Sequence, residues 1–283
     1  AHGHQRLRPW MTGTQHRANR EIEMKILVFV KQVPDTDDVK LDERGNLKRD
    51  GVASMINPLD ANAVEAAIQL KEKYGATVVA ISMGPPQAED VLKKALALGC
   101  DEAYLLSDRA FGGADTLATA YTLAKGAEKI GDYDLLLFGR HAVDGDTAQT
   151  GPATAAFLGI PQVTLASSID VKDGWVYCDR VLEDSTEKVR AKLPALVTVT
   201  AEINTPRYPT PINIMKALKK PRAVWNAQDL GADTAQTGIP GSPSSTKVVF
   251  EPPKRNTDTT YFTGSAEEIA AKFVDMLETE HLV

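Results

Sequence analysis

Cysteine is nearly absent: Cys100 and Cys178 are the only two in 283 residues. That excludes a disulfide framework and any cysteine-rich zinc or iron–sulfur site, and it points to a reducing, cytoplasmic setting. Long apolar runs are missing too. Stretches such as 26–30 end after about five residues, against the ~20 that a membrane-spanning helix needs, so no membrane insertion is expected. Basic charge is in deficit, with 32 Lys and Arg against 38 Asp and Glu. Nucleic acid and anionic membrane surfaces are both held by a basic field, so neither suits this chain as its main partner. A small anionic cofactor held by backbone N–H groups remains compatible. Histidine is scarce: His2, His4 and His16 lie in residues 1–23, which show no periodicity and no apolar signal core and read as an expression tag. His141 and His281 alone offer little from which to build a metal site or a Ser-His-Asp triad. Neither G-x-G-x-x-G nor the P-loop lysine motif occurs, which disfavours an ordinary Rossmann dehydrogenase or an ATPase.

What is present is alternation. Strand patterns at 25–30, 77–82, 103–107 and 134–139 are separated by helix patterns at 58–74, 87–98 and 116–130. The first helix puts Leu59, Ala63, Ala66, Ala67 and Leu70 on one face, with Glu65, Lys71, Glu72 and Lys73 opposite, and stops at Gly75. The strands are almost wholly apolar, as strands covered on both faces are. Such a chain builds βαβ units, so the expected fold is α/β, with a doubly wound, mostly parallel, Rossmann-like sheet. A hairpin over 175–182 and 187–193, turning near Asp184 and Ser185, and a returning strand over 195–201 complete a nucleotide-binding domain of residues 24–203. Residues 204–283 differ: they are rich in proline, poor in periodicity, and end in a helix pattern over 265–282. A segment with so little core of its own is expected to wrap another surface, or else to be a linker.

Ligands of open parallel sheets bind at the carboxyl ends of the strands. The loop 139–151 leaves the strand at 134–139 and enters a helix over 153–158, and N–H groups at a helix start suit a phosphate. Gly139, Gly145, Ala148 and Gly151 would let a ligand approach the backbone, while Thr147, Gln149 and Thr150 offer hydroxyl and amide bonds. Asp144 and Asp146 would repel a phosphate, so loop N–H groups or a ribose suit them better. Three more strand ends converge on this crevice: Lys31 with its neighbours, Ser82-Met83-Gly84, and Gly113-Ala114-Asp115-Thr116. Lys31 either neutralises a phosphate or faces solvent; Asp115 reads first as a helix cap; and Asn57 reads as a cap before Pro58, with a ligand role as the alternative. No nucleophile–base pair, metal cluster or pair of catalytic carboxylates stands out, so redox chemistry would need a cofactor.

At this point the sequence resembles the beta subunits of electron transfer flavoproteins. The likeness spans 24–283 and is carried by Val30-Lys31-Gln32-Val33-Pro34-Asp35, Asn57-Pro58, Ala95-Leu96-Ala97-Leu98-Gly99-Cys100-Asp101, the 139–151 loop, Lys192-Leu193-Pro194-Ala195-Leu196-Val197-Thr198-Val199, and above all Pro206-Arg207-Tyr208-Pro209-Thr210-Pro211-Ile212-Asn213-Ile214-Met215-Lys216-Ala217. The resemblance implies an adenine-nucleotide-hydrolase-like domain, a C-terminal arm wrapped on a partner, and a heterodimer with an alpha subunit carrying its own FAD. It places cofactor contacts at Phe29, Lys31, Asn57, Met83, Asp115, Thr116, Thr119, Gly139, Arg140, Val143, Asp144, Gly145, Asp146, Thr147, Ala148, Gln149, Thr150 and Gly151. The loop is similar to that of the electron-bifurcating branch, in which the crevice holds a second FAD, reduced by NADH, that serves an acyl-CoA dehydrogenase and ferredoxin or flavodoxin. Members of the other branch hold AMP and do not bifurcate. An unrelated α/β nucleotide-binding protein of the universal-stress type, with no obligate partner, is the remaining rival.

Overall fold

The computed structural model describes residues 24–35, 54–245 and 259–283; the expected tag at 1–23 lies outside them. They fall into two compact units, the larger holding 24–35 and 54–245 and the smaller holding 259–283.

In the larger unit, β1 (Lys25–Phe29) is followed by a small antiparallel pair, β2 (Gln32–Pro34) and β3 (Ser54–Ile56). Then come α1 (Pro58–Tyr74), β4 (Thr77–Met83), α2 (Glu89–Leu98), β5 (Glu102–Leu106), α3 (Thr116–Ile130), β6 (Leu135–Gly139) and α4 (Thr150–Leu158). They are followed by β7 (Gln162–Lys172), β8 (Trp175–Val181), β9 (Thr186–Lys192), β10 (Ala195–Val199), α5 (Pro211–Ala217) and β11 (Arg222–Trp225). Nine strands form one sheet in the order β11-β5-β4-β1-β6-β10-β7-β8-β9. It is parallel from β11 through the β10–β7 pair and antiparallel from β7 to β9. The doubly wound, mostly parallel α/β fold therefore stands as expected.

Strand side chains alternate between two cores. Ile26, Val28, Val78, Ala80, Leu135 and Leu137 share one with the buried face of α1 and α2. Leu27, Phe29, Val79, Ile81, Leu136 and Phe138 share the other with Leu123 of α3 and Ala155 of α4. Burial on both faces is why these strands read as unbroken apolar runs. The edge strand β9 exposes Glu187, Lys188, Arg190 and Lys192, charges that discourage further strand addition.

Three expectations shift. The strands β2, β3, β7 and β11 lie outside the strand patterns of the sequence. The helix expected over 153–158 starts earlier, at Thr150. The domain expected to close at 203 continues, because residues 204–245 wrap their own sheet. Asn204 and Asn62 exchange side-chain-to-carbonyl bonds of 2.9 and 3.0 Å. Lys220 Nζ donates to the carbonyl of Leu96 at 3.0 Å, in the last turns of α2, where a cation is favoured. The strand β11 then joins β5, with Trp225 stacked on Tyr104 at 4.1 Å.

Arg207 anchors this wrap, donating to both oxygens of Glu65 at 2.8 and 2.9 Å and to Glu72 at 3.0 Å. Burial works against the Glu65 carboxylate, but the Arg207 and Gln69 bonds outweigh it and hold its pKa below the ordinary value. That stabilisation is present above the unfolded pKa and is lost as pH falls through the folded one. Arg207→Ala leaves Glu65, whose side chain is only 6% exposed, without its cation, and should cost about 3 kcal/mol at pH 7. Burial alone then raises the carboxyl's pKa, so the variant should gain stability on acidification. Denaturant titrations at pH 7 and 4.5 should show the gap to the parent narrowing; a constant gap would assign the loss to packing.

The smaller unit contains α6 (Ala266–Thr279), shorter than the expected 265–282, with Ser265 and Glu268 forming a reciprocal capping box. Phe262 meets Phe273 edge-on at 6.3 Å. Among the described residues no helix is long and apolar enough to cross a membrane.

Candidate functional site

The sheet reverses its winding at β1. From it the chain passes through α1 to β4 on one side, and later returns through α3 to β6 on the other, which makes the gap between the ends of β1 and β6 a topological switch point. The loop from β6 to α4 leaves here and is held from below. Asn57, fully buried, donates from Nδ2 to the His141 carbonyl at 2.8 Å and accepts from the Val143 N–H at 3.1 Å. It makes no side-chain bond to cap α1, so the cap expected of it is replaced by a clamp on the loop. Farther along, the N–H groups of Gly145 and Asp146 both donate to the Ala142 carbonyl, and Asp146 and Ala148 take left-handed φ of 48° and 52°.

The charges above the gap satisfy each other. Lys31 Nζ lies 2.6 and 2.8 Å from the two Asp144 oxygens, so neither the phosphate-neutralising lysine nor the ribose-binding aspartate stands free. Beside them runs a cleft of about 720 Å³, walled by Asp115 and Thr116 of α3, by Ala148 and Gln149, and by Pro243 and Ser244. That volume is within the usual range for small-molecule sites. The two helices that open onto it differ. Asp115 caps α3, accepting from the Leu117 and Ala118 N–H groups at 2.9 and 3.1 Å. It also accepts from the Ser244 N–H and hydroxyl, while its own N–H donates to Ser242. Burial opposes the Asp115 carboxylate, but these donors outweigh it and lower its pKa. By contrast, no side chain caps α4; Gln149 instead accepts from the Thr116 hydroxyl at 3.0 Å. Thr147 is exposed beside this end and Thr150 is half-buried in the first turn.

Not every expected contact lies at the cleft. Phe29 is a core residue, stacked on Phe138 at 4.1 Å. Met83 packs against the same core at the end of β4, and Thr119 is half-buried in α3. Arg140 and Val143 are exposed on the loop. Gly139 and Gly151 are both required by internal packing. A Cβ at Gly139 would fall 2.6 Å from the Leu59 backbone, and one at Gly151 would fall 2.8 Å from Thr198. At Gly145 a Cβ would meet nothing within 4 Å. Two sets of contributors went unread: Asp60, which bonds to both strand ends, and Ser242 with Ser244, which pin a cleft wall. Only their nearness in sequence to Asn57-Pro58, and to a Gly/Ser/Pro-rich stretch, hinted at them.

With this geometry in view, comparison with known proteins is decisive. A family profile described as the electron transfer flavoprotein domain matches residues 45–230. The chain belongs to the electron transfer flavoprotein family, as a beta-subunit-type member. It is 46% identical over 266 residues to an electron transfer flavoprotein subunit beta of Clostridium acetobutylicum, covering 92% of this chain and all of that one. It is 44% identical, at the same coverage, to the caffeyl-CoA reductase-Etf complex subunit CarD of Acetobacterium woodii. To the acryloyl-CoA reductase electron transfer subunit gamma of Anaerotignum propionicum it is 37% identical, again over 92% of this chain and all of that one. Family membership removes the universal-stress rival and makes flavin-linked electron transfer the setting in which the cleft is to be understood.

Proposed function

We propose that this chain is the nucleotide-holding beta subunit of a heterodimeric, electron-bifurcating flavoprotein, and that its crevice takes FAD rather than AMP. The carrying observation is the uncapped start of α4, which opens on a cleft lined by the side-chain-poor position Ala148, with the unobstructed Gly145 three residues before it. The first-turn N–H groups of α4, with Thr147, Gln149 and Thr150, would hold a diphosphate at the positive end of the helix dipole. The Thr116 hydroxyl, now on Gln149, is placed to turn to the ligand, and the Lys31–Asp144 pair brings a cation to the crevice without a net charge. Bound there, FAD supplies hydride chemistry with NADH and one-electron transfer toward an alpha-subunit FAD and on to an acyl-CoA dehydrogenase, and separately to ferredoxin or flavodoxin. That two relatives are named for CoA-thioester reductases supports such a partner.

Docking surfaces are part of the same proposal. Tyr208, Ile212, Met215 and Leu218 are 93, 65, 71 and 64% exposed on a segment that Arg207 fixes to α1, and they suit the dehydrogenase. The helix α6 exposes Phe273 and Val274, and with residues 259–283 it would serve as the arm for the alpha subunit. The test is cofactor content. Purified heterodimer should release two FAD, whereas one FAD with one AMP would overturn the bifurcating reading and favour the AMP-holding branch.

A further inference from the structure

We propose that Asp60 is a positioning residue that staples the ends of β1 and β6 together beneath the crevice and makes nucleotide binding there depend on its own ionisation. This rests on the nucleotide reading above.

The β1–β6 ladder runs from Ile26 opposite Leu135 to Val28 opposite Leu137 and goes no farther. Beyond it the strands turn to their outer neighbours: the Val30 N–H bonds to Ile81 of β4, and the Arg140 N–H to Val199 of β10. The sheet splits at this point. Into the split stands the Asp60 side chain, from the first turn of α1 and only 7% exposed. One carboxylate oxygen accepts from the Lys31 N–H at 2.8 Å and the other from the Gly139 N–H at 3.1 Å. Both loops that border the crevice therefore begin on one carboxylate: one carries the Lys31 ammonium, and the other carries Arg140 and Asp144.

Everything that faces this carboxyl donates. Just before α1 it is the neutral Asn57 amide; from the ends of β1 and β6 it is the two N–H groups. The Lys31 ammonium is the charge acting on it, with Asp144 bound to that ammonium from the far side. Ionised, Asp60 satisfies both strand ends. Protonated, it points an O–H at donors, so one N–H loses its acceptor inside the fold. Burial is the largest influence on the group and pushes its pKa up to about 7, against the two backbone bonds, Asn57 and Lys31. The two states thus exchange across neutral pH.

The experiment is a calorimetric titration of the cofactor-stripped heterodimer with AMP and with FAD at pH 6, 7 and 8, for the parent and Asp60→Asn. Amide exchange at Lys31 and Gly139, corrected for intrinsic rates, accompanies it. The parent should bind about three- to tenfold more weakly at pH 6 than at pH 8, the effect of one lost hydrogen bond. Asp60→Asn, with one acceptor oxygen, should bind weakly at all three values, with no slope, and should lose protection at one or both amides. A variant with the parent's pH slope, or with both amides still protected, overturns the proposal. Should the variant not fold, the parent alone decides, because a flat profile with both amides equally protected at pH 6 and 8 is equally fatal. A parent that binds neither probe at any pH refutes the nucleotide reading and, with it, the coupling; exchange at the two amides then reports on the staple separately.

Discussion

Replacing Gly145 with Asp and Ala148 with Asn is expected to strip the proposed FAD from the crevice while leaving the chain folded. Both halves of that statement follow from the loop's geometry. A side chain at Gly145 enters open space, with nothing within 4 Å of its Cβ. Position 148 already holds φ at 52°, a conformation that asparagine tolerates better than most residues. The backbone can therefore stay where it is. What changes is the loop: an amide is added to the cleft wall at 148 and a carboxylate three residues before it, where the proposed diphosphate needs close approach to N–H groups. Losing charge-assisted hydrogen bonds and adding a like charge should cost about 3 kcal/mol or more, roughly a hundredfold in affinity. The purified heterodimer should fall from two flavins toward one, with rapid NADH oxidation lost and the thermal midpoint nearly unchanged. Two tightly held FAD after both substitutions would remove this loop from the phosphate site.

The second large effect is structural and lies one turn of chain away. Gly139→Ala should destabilise the chain by about 3 kcal/mol, the upper part of the range for overpacking. The new methyl group would fall 2.6 and 2.7 Å from backbone atoms of Leu59 and Asp60, and 2.5 Å from the Asp60 carboxylate. None of these is the free end of a flexible side chain, because α1 is packed on the sheet and Asp60 is tied to two N–H groups. Either α1 lifts or the end of β6 moves. Gly145→Ala makes the same chemical change six residues on, in open space, and should lie within about 0.5 kcal/mol of the parent. Equal denaturation midpoints for the two variants would mean that α1 yields easily at its start.

The same two glycines show where sequence reading stops. Both look alike in a glycine-rich loop at a strand end, yet one exists for the approach of a helix and the other faces open space; the difference is tertiary. Strands β1, β4, β5 and β6 and the helices α1 to α3 were legible because each has one buried stripe or two buried faces, whereas the short pair β2 and β3 has neither. The strand β7 was not legible, because it serves two partners. Its first half pairs parallel with β10, its second half antiparallel with β8, and its register shifts against each. Leu165 carries a left-handed φ of 61° between the two regimes, and the burial pattern there alternates poorly. The strand β11 was hidden by its position, a short, exposed edge strand following Pro221 in a proline-rich stretch. Asp115 and the Asp184-Ser185 turn were legible because caps and turns are local chemistry. Asn57 misled for the same reason: an Asn before a Pro looks like a cap, and the loop groups it clamps are more than eighty residues away.

The insertion of β10 between β6 and β7 has a consequence for how the chain is made. During synthesis β6 emerges well before residues 195–199, and β5 long before 222–225, so the nascent sheet carries two unpaired flanks, each of which the finished molecule covers with a strand made much later. Open ladders of apolar strands are adhesive. A ribosome stalled between β6 and β10 would thus display a natural substrate for chaperones, and residues 195–225 do more than lengthen the sheet: they seal both flanks.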